Sequence, residues 1–141
     1  MKFKFDCSFV ARALIALLFV VAALIKLGLG QPGASISQAF NATAASLPQV
    51  MTFLPASLAT LALIIVLIIE LPIALMYAYG YKYVKAGWVL IGFVVVVTIF
   101  YHNPWFGGQF NAMNLVMALK NLAIIGGILA TIGCYCGKCR I

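Results

Sequence analysis

Five ionisable residues lie within or at the edge of long apolar runs, where charge is costly: Arg12, Lys26, Glu70, His102 and Lys120. A charged side chain at the centre of a membrane-spanning helix costs about 2.5–3.5 kcal/mol on insertion scales. Such side chains therefore face the interior of a helix bundle, or extend their charged ends to the membrane surface. The position of each residue along its apolar run indicates which of these roles it has.

Three of these residues, Lys26, His102 and Lys120, lie toward the same end of the predicted bundle, with Tyr101 and Trp105 close by. We expect them to form a polar pocket. A cationic lysine and a protonatable histidine suit the binding of a small anion or a quinone, including protonation of a reduced quinone oxygen. The plainer interpretation is that Lys26 anchors its helix at the membrane surface and that His102 belongs to an interfacial aromatic belt.

Glu70 needs a partner, because a short acidic side chain cannot extend far towards water. Arg12 and Lys26 are fourteen residues apart, which places them within about 40° of each other on one helix face. Glu70 lies past the middle of the next apolar run, which returns in the opposite direction. We therefore expect a buried Arg12–Glu70 ion pair, which would fix the register of two helices.

Four cysteines are expected at one membrane face: Cys7 precedes the first apolar run, and Cys134, Cys136 and Cys139 follow the last. Four thiolates could hold zinc or iron. Cysteines beside a membrane helix are also targets of lipid acylation. The favoured interpretation is four separate reduced thiols in a reducing compartment.

The composition points to an integral membrane protein. Of the 141 residues, 66% are hydrophobic and 8% are charged, whereas soluble domains are about half apolar and a quarter charged. A soluble fold of this composition would expose large apolar patches to water. One membrane span takes about 20 apolar residues, so the chain has room for four spans. We predict one membrane domain over residues 1–141.

The apolar runs predict an all-α bundle of four transmembrane helices, at about residues 9–29, 53–77, 84–101 and 113–135. The segment between the first two spans has Ile36, Phe40, Ala44 and Leu47 at helical spacing. This pattern predicts a short amphipathic helix that lies on the membrane surface.

The net charge of +7 is attributed to membrane topology, and we expect no nucleic-acid partner. Lysine and arginine lie in the N-terminal segment, between the second and third spans, and in the C-terminal tail. The connections 30–52 and 102–112 contain neither residue. By the positive-inside rule, both termini are predicted to be cytoplasmic. A bacterial inner membrane is the expected location, with other cellular or viral membranes left open.

Four stretches together resemble the DoxX family of small four-helix membrane proteins. They are Arg12-Ala-Leu-Ile-Ala-Leu-Leu-Phe19 followed by Lys26-Leu-Gly, Pro48 through Glu70-Leu71, Thr98-Ile-Phe-Tyr-His102-Asn-Pro-Trp105, and Lys120-Asn-Leu-Ala-Ile-Ile-Gly126-Gly127. Each stretch is a loose match alone, and their order and spacing carry the resemblance, which covers most of the chain.

The resemblance implies a membrane-bound, redox-associated protein, since relatives include a subunit of a thiosulfate–quinone oxidoreductase and proteins linked to oxidative stress. The residues that match the family pattern are Arg12, Lys26, Glu70, His102, Lys120 and Asn121. Asn121 thereby joins Lys26, His102, Trp105 and Lys120 as a candidate ligand-binding residue. The cysteine-rich tail departs from the family pattern.

The expected function is that of a small membrane subunit, surrounded by lipid, which binds a quinone or small anion and acts with a protein partner or as a homo-oligomer. The alternative is a non-catalytic structural subunit of a larger membrane assembly. A carrier ranks last, because four helices leave little room for alternating access. The sequence leaves open whether the protein is an enzyme.

Overall fold

The computed structural model describes residues 7–28, 33, 35–50, 55–102, 104 and 110–135. All regular structure within these residues is helical. The elements are α1 (Cys7–Lys26), α2 (Ile36–Val50), α3 (Ala56–Ile68), a π-helical turn (Ile69–Ile73), α4 (Ala74–Tyr79), α5 (Tyr83–Tyr101) and α6 (Ala112–Tyr135).

Four stretches of the described chain are long and apolar enough to cross a membrane: Ser8–Lys26, Ser57–Tyr79, Tyr83–Tyr101 and Ala112–Gly133. Their ends lie within about one helical turn of the predicted ones. Large apolar side chains cover their outer surfaces, such as Leu14 at 60% exposure and Leu122 at 63%. Hydrocarbon solvates such side chains and water does not. The four helices indicate a multi-pass membrane protein, as the composition predicts.

The second span is continuous but changes geometry around Pro72. It comprises α3, the π-helical turn and α4 in succession. Pro72 has no N–H, so it cannot make the α-helical hydrogen bond to the carbonyl of Ile68. The backbone widens into a π turn here, and α-helical geometry resumes at Ala74, whose N–H donates to Leu71 O. The wider turn carries Glu70, which is buried.

The main core lies between α1, α4, α5 and α6, each of which packs against its neighbours in a ring. Its buried residues are Ala16, Phe19, Ala74, Tyr77, Ala86, Leu90, Ile91, Val94, Ile128 and Ile132. At Gly87 the helices approach closely, since a Cβ there would lie 2.8 Å from Ile132 Cδ1 and 3.1 Å from Ile128 Cγ2. Small residues therefore allow α5 and α6 to pack tightly.

A second, smaller core joins α2 to α3 through Ala44, Leu47, Ala59 and Leu63. The chain reaches α2 after Gly28, which ends the first span with a left-handed φ of +94°. A Cβ at Gly28 would lie 2.8 Å from Ala39 Cβ, so glycine is needed both for the turn and for the approach of α2. The beginning of the second span packs on α2, whereas α1 packs on the π turn and on α4.

Candidate functional site

The centre of the site is an ion pair between the end of α1 and the π turn. Lys26 Nζ donates to Glu70 Oε1 at 2.7 Å and to Oε2 at 2.8 Å. The Glu70 side chain is 5% exposed and that of Lys26 is 28% exposed. Lys26 Nζ also lies 3.4 Å from the carbonyl of Ala22, one turn back along α1. The lysine side chain therefore folds back along its own helix towards the interior of the bundle.

The prediction that Arg12 pairs with Glu70 is wrong, because Lys26 is the cation that binds Glu70. Arg12 Nη1 donates to Ser8 Oγ at 2.8 Å, and the Arg12 guanidinium lies 4.6 Å from the centre of the Tyr83 ring. The physical reason is the path of the Lys26 side chain, which folds back along α1 to within 3.4 Å of Ala22 O and so reaches the π turn that carries Glu70.

A cavity of about 210 Å³ lies on one side of the ion pair, between α1, α5 and α6. Lys26, Glu70, His102 and Asn121 supply its polar groups. Its remaining lining is apolar: Leu18, Phe19, Ala22, Phe93, Val94, Val97 and Ile124. Leu18 is 54% exposed on the outer surface of α1, so this cavity reaches towards the lipid-facing side of the bundle.

A second cavity of about 180 Å³ lies on the other side of the pair, beneath α2. It shares Lys26, Glu70 and His102 with the first cavity, and Thr43 of α2 adds a hydroxyl. The other lining residues are Leu47, Leu63, Val66, Phe93, Val97 and Tyr101. Thr43 Oγ1 donates to Ala39 O at 2.9 Å and lies 3.4 Å from Lys26 O, so α2 is attached to the end of α1 at this point.

Asn121 is held by a short chain of hydrogen bonds to α5. Its Nδ2 donates to Thr98 Oγ1 at 2.9 Å, and the Thr98 hydroxyl donates to Val94 O at 2.7 Å. Thr98 is missing from the predicted site. The signal that could have identified it is its position four residues before His102, because residues at this spacing share a helix face.

His102 directly follows the third span and contributes to the lining of both cavities. Its backbone N–H bonds to Thr98 O and Val97 O, and its ring lies edge-on to Tyr101 with 5.3 Å between centres. Desolvation by burial lowers the pKa of His102 below its ordinary value of 6.5. The imidazole is therefore neutral near pH 7, with one ring nitrogen able to donate a hydrogen bond and the other able to accept one.

The predicted ligand-binding set is brought together only in part. Lys26, His102 and Asn121 line the first cavity. Lys120 is exposed on α6 and contributes to the lining of neither cavity. Trp105 lies outside the described residues.

The predicted four-cysteine cluster lies largely outside the described residues. Cys136 and Cys139 are beyond them, and only the backbones of Cys7 and Cys134 are described. The ends of α1 and α6 that carry these two residues are neighbours, because Ser8 and Thr131 line the same surface groove. The zinc or iron site therefore stays a prediction.

Comparison with protein-family models, curated proteins and solved structures finds no match to this chain.

Proposed function

We propose that this protein is a small, redox-associated membrane subunit of the DoxX-like type that binds a quinone in the cavities around Lys26 and Glu70. The observation that carries the proposal is the pair of cavities, in which a buried ion pair and His102 meet apolar walls. Ligand sites combine mostly apolar walls with a few placed polar groups. A quinone ring matches both features, since it is flat and apolar with two hydrogen-bond acceptors.

Between a quinone and a small anion, the ion pair favours the quinone. All three ammonium hydrogens of Lys26 have acceptors within reach, two on Glu70 and one on Ala22. The pair has no net charge, so it offers little attraction to an anion. Neutral His102 and the amide of Asn121 are the groups suited to bind a quinone oxygen, because each contains an N–H donor.

A protein partner is part of the proposal. Oxidation of a quinol or reduction of a quinone requires a second redox group, and the side chains that line the two cavities do not supply one. The resemblance to a family with a quinone-linked enzyme subunit supports the same conclusion. We propose that the partner carries the electrons and that this subunit binds the quinone. A homo-oligomer is compatible with this arrangement.

The proposed orientation has both termini in the cytoplasm of a bacterial cell and the ion-pair end of the bundle towards the outside. Lys82 and Lys85, between the second and third spans, support this topology. In the same arrangement, α2 lies along the outer membrane surface as the predicted amphipathic helix. It buries Ala39, Ala44 and Leu47 and exposes the polar residues Gln38 and Asn41.

The test is quinone binding by the purified protein in detergent or lipid nanodiscs, measured with a short-chain ubiquinone and a menaquinone analogue. We expect saturable binding. The double variant His102→Ala/Asn121→Ala should weaken it at least about tenfold, because two hydrogen bonds are lost. The matched control is Lys120→Ala, since Lys120 lies next to Asn121 in sequence but is exposed outside the cavities. Equal binding by the double variant and the wild type would reject this site.

A second candidate function is a structural subunit, and the Lys26–Glu70 pair itself favours it. The pair joins α1 to the second span and could serve only to fix their register. This function predicts that the protein purifies with a stable complex and without quinone. It also predicts that Lys26→Met/Glu70→Leu, which keeps the helices together without charge, supports normal assembly.

A further inference from the structure

A basic pocket lies at the opposite end of the bundle from the ion pair, where α4 turns into α5. Its volume is about 360 Å³, and Gly80, Lys82, Tyr83, Val84 and Lys85 line it. Lys82 and Lys85 are exposed. The pocket shares no residue with the two cavities around Lys26 and Glu70, so it is a separate feature.

The backbone of this turn also presents hydrogen-bond donors. Gly80 and Lys82 both have left-handed conformations, with φ of +82° and +46°. The turn leads directly into α5, where Ala86 N–H donates to Lys82 O as the first bond of the helix. The amides of Val84 and Lys85 come before that bond, and amides in the first turn of a helix have no partner within the helix. The positive end of the dipole of α5 thus lies in the wall of the pocket.

A third cation lies behind the same wall. Arg12 is only 9% exposed, and its guanidinium lies against the Tyr83 ring at 4.6 Å. A Cβ on Gly80 would be 3.6 Å from Arg12 Nη2, so the guanidinium lies near Gly80, which lines the pocket. Arg12 Nε is buried without a hydrogen-bond partner within the described structure.

No described carboxylate neutralises these three cations. Glu70 is the one side-chain carboxylate among the described residues, and Lys26 binds both of its oxygens. An anionic group in the pocket would therefore meet two lysine side chains and a helix N-terminus, with the Arg12 guanidinium behind the Tyr83 ring.

The position of the pocket in the chain indicates the depth of lipid headgroups. It is in the connection between the spans Ser57–Tyr79 and Tyr83–Tyr101. Large aromatic side chains around it point outward: Tyr79 is 81% exposed, Tyr81 is 60% exposed and Trp88 is 56% exposed. Exposed tyrosine and tryptophan mark the interface between hydrocarbon and water.

We propose that this pocket binds the headgroup of an anionic phospholipid. The phosphodiester oxygens accept hydrogen bonds from Lys82, Lys85 and the first amides of α5, and Arg12 adds positive charge from behind the wall. The acyl chains extend along the apolar outer surface of the spans. The group that the pocket recognises is a phosphate monoanion. The pocket lies at the ends of two spans, and this position selects a lipid over free phosphate.

The experiment compares phosphatidylglycerol with phosphatidylcholine, both with short acyl chains, as stabilisers of the full chain in neutral detergent. The midpoint of thermal unfolding is recorded against lipid concentration. The wild type should reach half of its maximal shift at a phosphatidylglycerol concentration at least about tenfold lower than for phosphatidylcholine. The variant Lys82→Gln/Lys85→Gln should bring the two concentrations to within about twofold of each other.

Two control variants separate the pocket from overall charge. Lys82→Arg/Lys85→Arg should keep the preference, because both charges remain. Lys120→Gln should also keep it, because it removes an exposed lysine that is not part of this pocket. Retention of the wild-type preference by the double glutamine variant would overturn the proposal. If that variant does not fold, Lys85→Gln alone decides: a loss of about threefold supports the site, and no loss overturns it.

Inorganic phosphate provides the second arm of the experiment. It should produce little shift at concentrations where phosphatidylglycerol saturates, since it lacks acyl chains to place it at the interface. An equal shift with inorganic phosphate would assign the pocket to a soluble phosphate and overturn the lipid as its ligand.

Discussion

The two ends of the bundle are built on the same helices but differ in what fills the space between them. At the packed end, Tyr77, Leu90 and Ile128 are completely buried and Gly87 brings α5 against α6. At the cavity end, a buried ion pair lies between two cavities. The packed end gains dispersion contacts throughout, whereas the cavity end gives up such contacts to keep polar groups and open volume. The comparison indicates that close packing of side chains stabilises one end, whereas the proposed quinone site lies at the other.

The largest expected effect tests the ion pair at the cavity end. Glu70→Ala should lower the free energy of unfolding by about 3–5 kcal/mol, because it leaves the partly buried Lys26 ammonium without its counter-charge. Lys26→Met/Glu70→Leu should be far less destabilised, since no charge is left unpaired. Unfolding in mixed micelles measures both. A double variant as unstable as the single one would show that the pair matters for its shape and contacts and not for its charge.

The next effect tests the packed end. Gly87→Val should destabilise the bundle by about 1–3 kcal/mol, because new methyl groups would overlap Ile132 and Ile128. Gly92→Val is the matched control on the same helix, since a Cβ at Gly92 meets no atom within 4 Å. The control should change stability by less than about 0.5 kcal/mol. Similar losses of stability in both variants would mean that the loss comes from replacing a helical glycine by valine, and not from the contact with α6.

A smaller effect concerns a polar contact within the packed core. The hydroxyls of Tyr77 and Thr131 share a buried hydrogen bond, and Thr131 Oγ1 also bonds to Ile128 O. Tyr77→Phe should therefore cost about 1 kcal/mol, because Thr131 keeps one partner. Tyr79→Phe, at a side chain that is 81% exposed, is the control and should be neutral. Thermal unfolding of the three proteins side by side measures the difference.

The smallest effect is a pH dependence at the cavity end. Because desolvation holds the pKa of His102 below 6.5 in the folded protein, the folded state resists protonation of this ring. The stability should be complete above pH 6.5 and fall as the pH decreases from there through the lowered pKa. Unfolding midpoints between pH 8 and 5 should show this decline. Replacement by His102→Gln should reduce the slope, and an unchanged slope would assign the dependence to other groups.

The sequence predicts the spans well because each one is a long apolar run, which is a local property. It also predicts that Lys26 and His102 lie together, since the ends of neighbouring spans meet. Asn121 is identified only by the family resemblance, and Lys120, which is expected beside them, lines neither cavity. The sequence assigns the wrong cation to Glu70 because residue spacing along a helix does not show that the Lys26 side chain folds back along α1 towards Ala22. The sequence does not identify Thr98 and Thr43 as site residues, since isolated threonines in apolar helices usually bond only to their own backbone.

The π turn has a consequence for the rotational phase of the second span. A turn with one extra residue offsets the helix before it from the helix after it by about 100°. The face of α3 that meets α2 and the face of α4 that meets α1 are therefore set independently, with Glu70 at the joint. Deleting Leu71 would restore an ordinary helix and rotate all of α3 about its axis relative to α4. The acid would then turn away from Lys26, and α2, which is packed on α3, would move off the cavity that it covers.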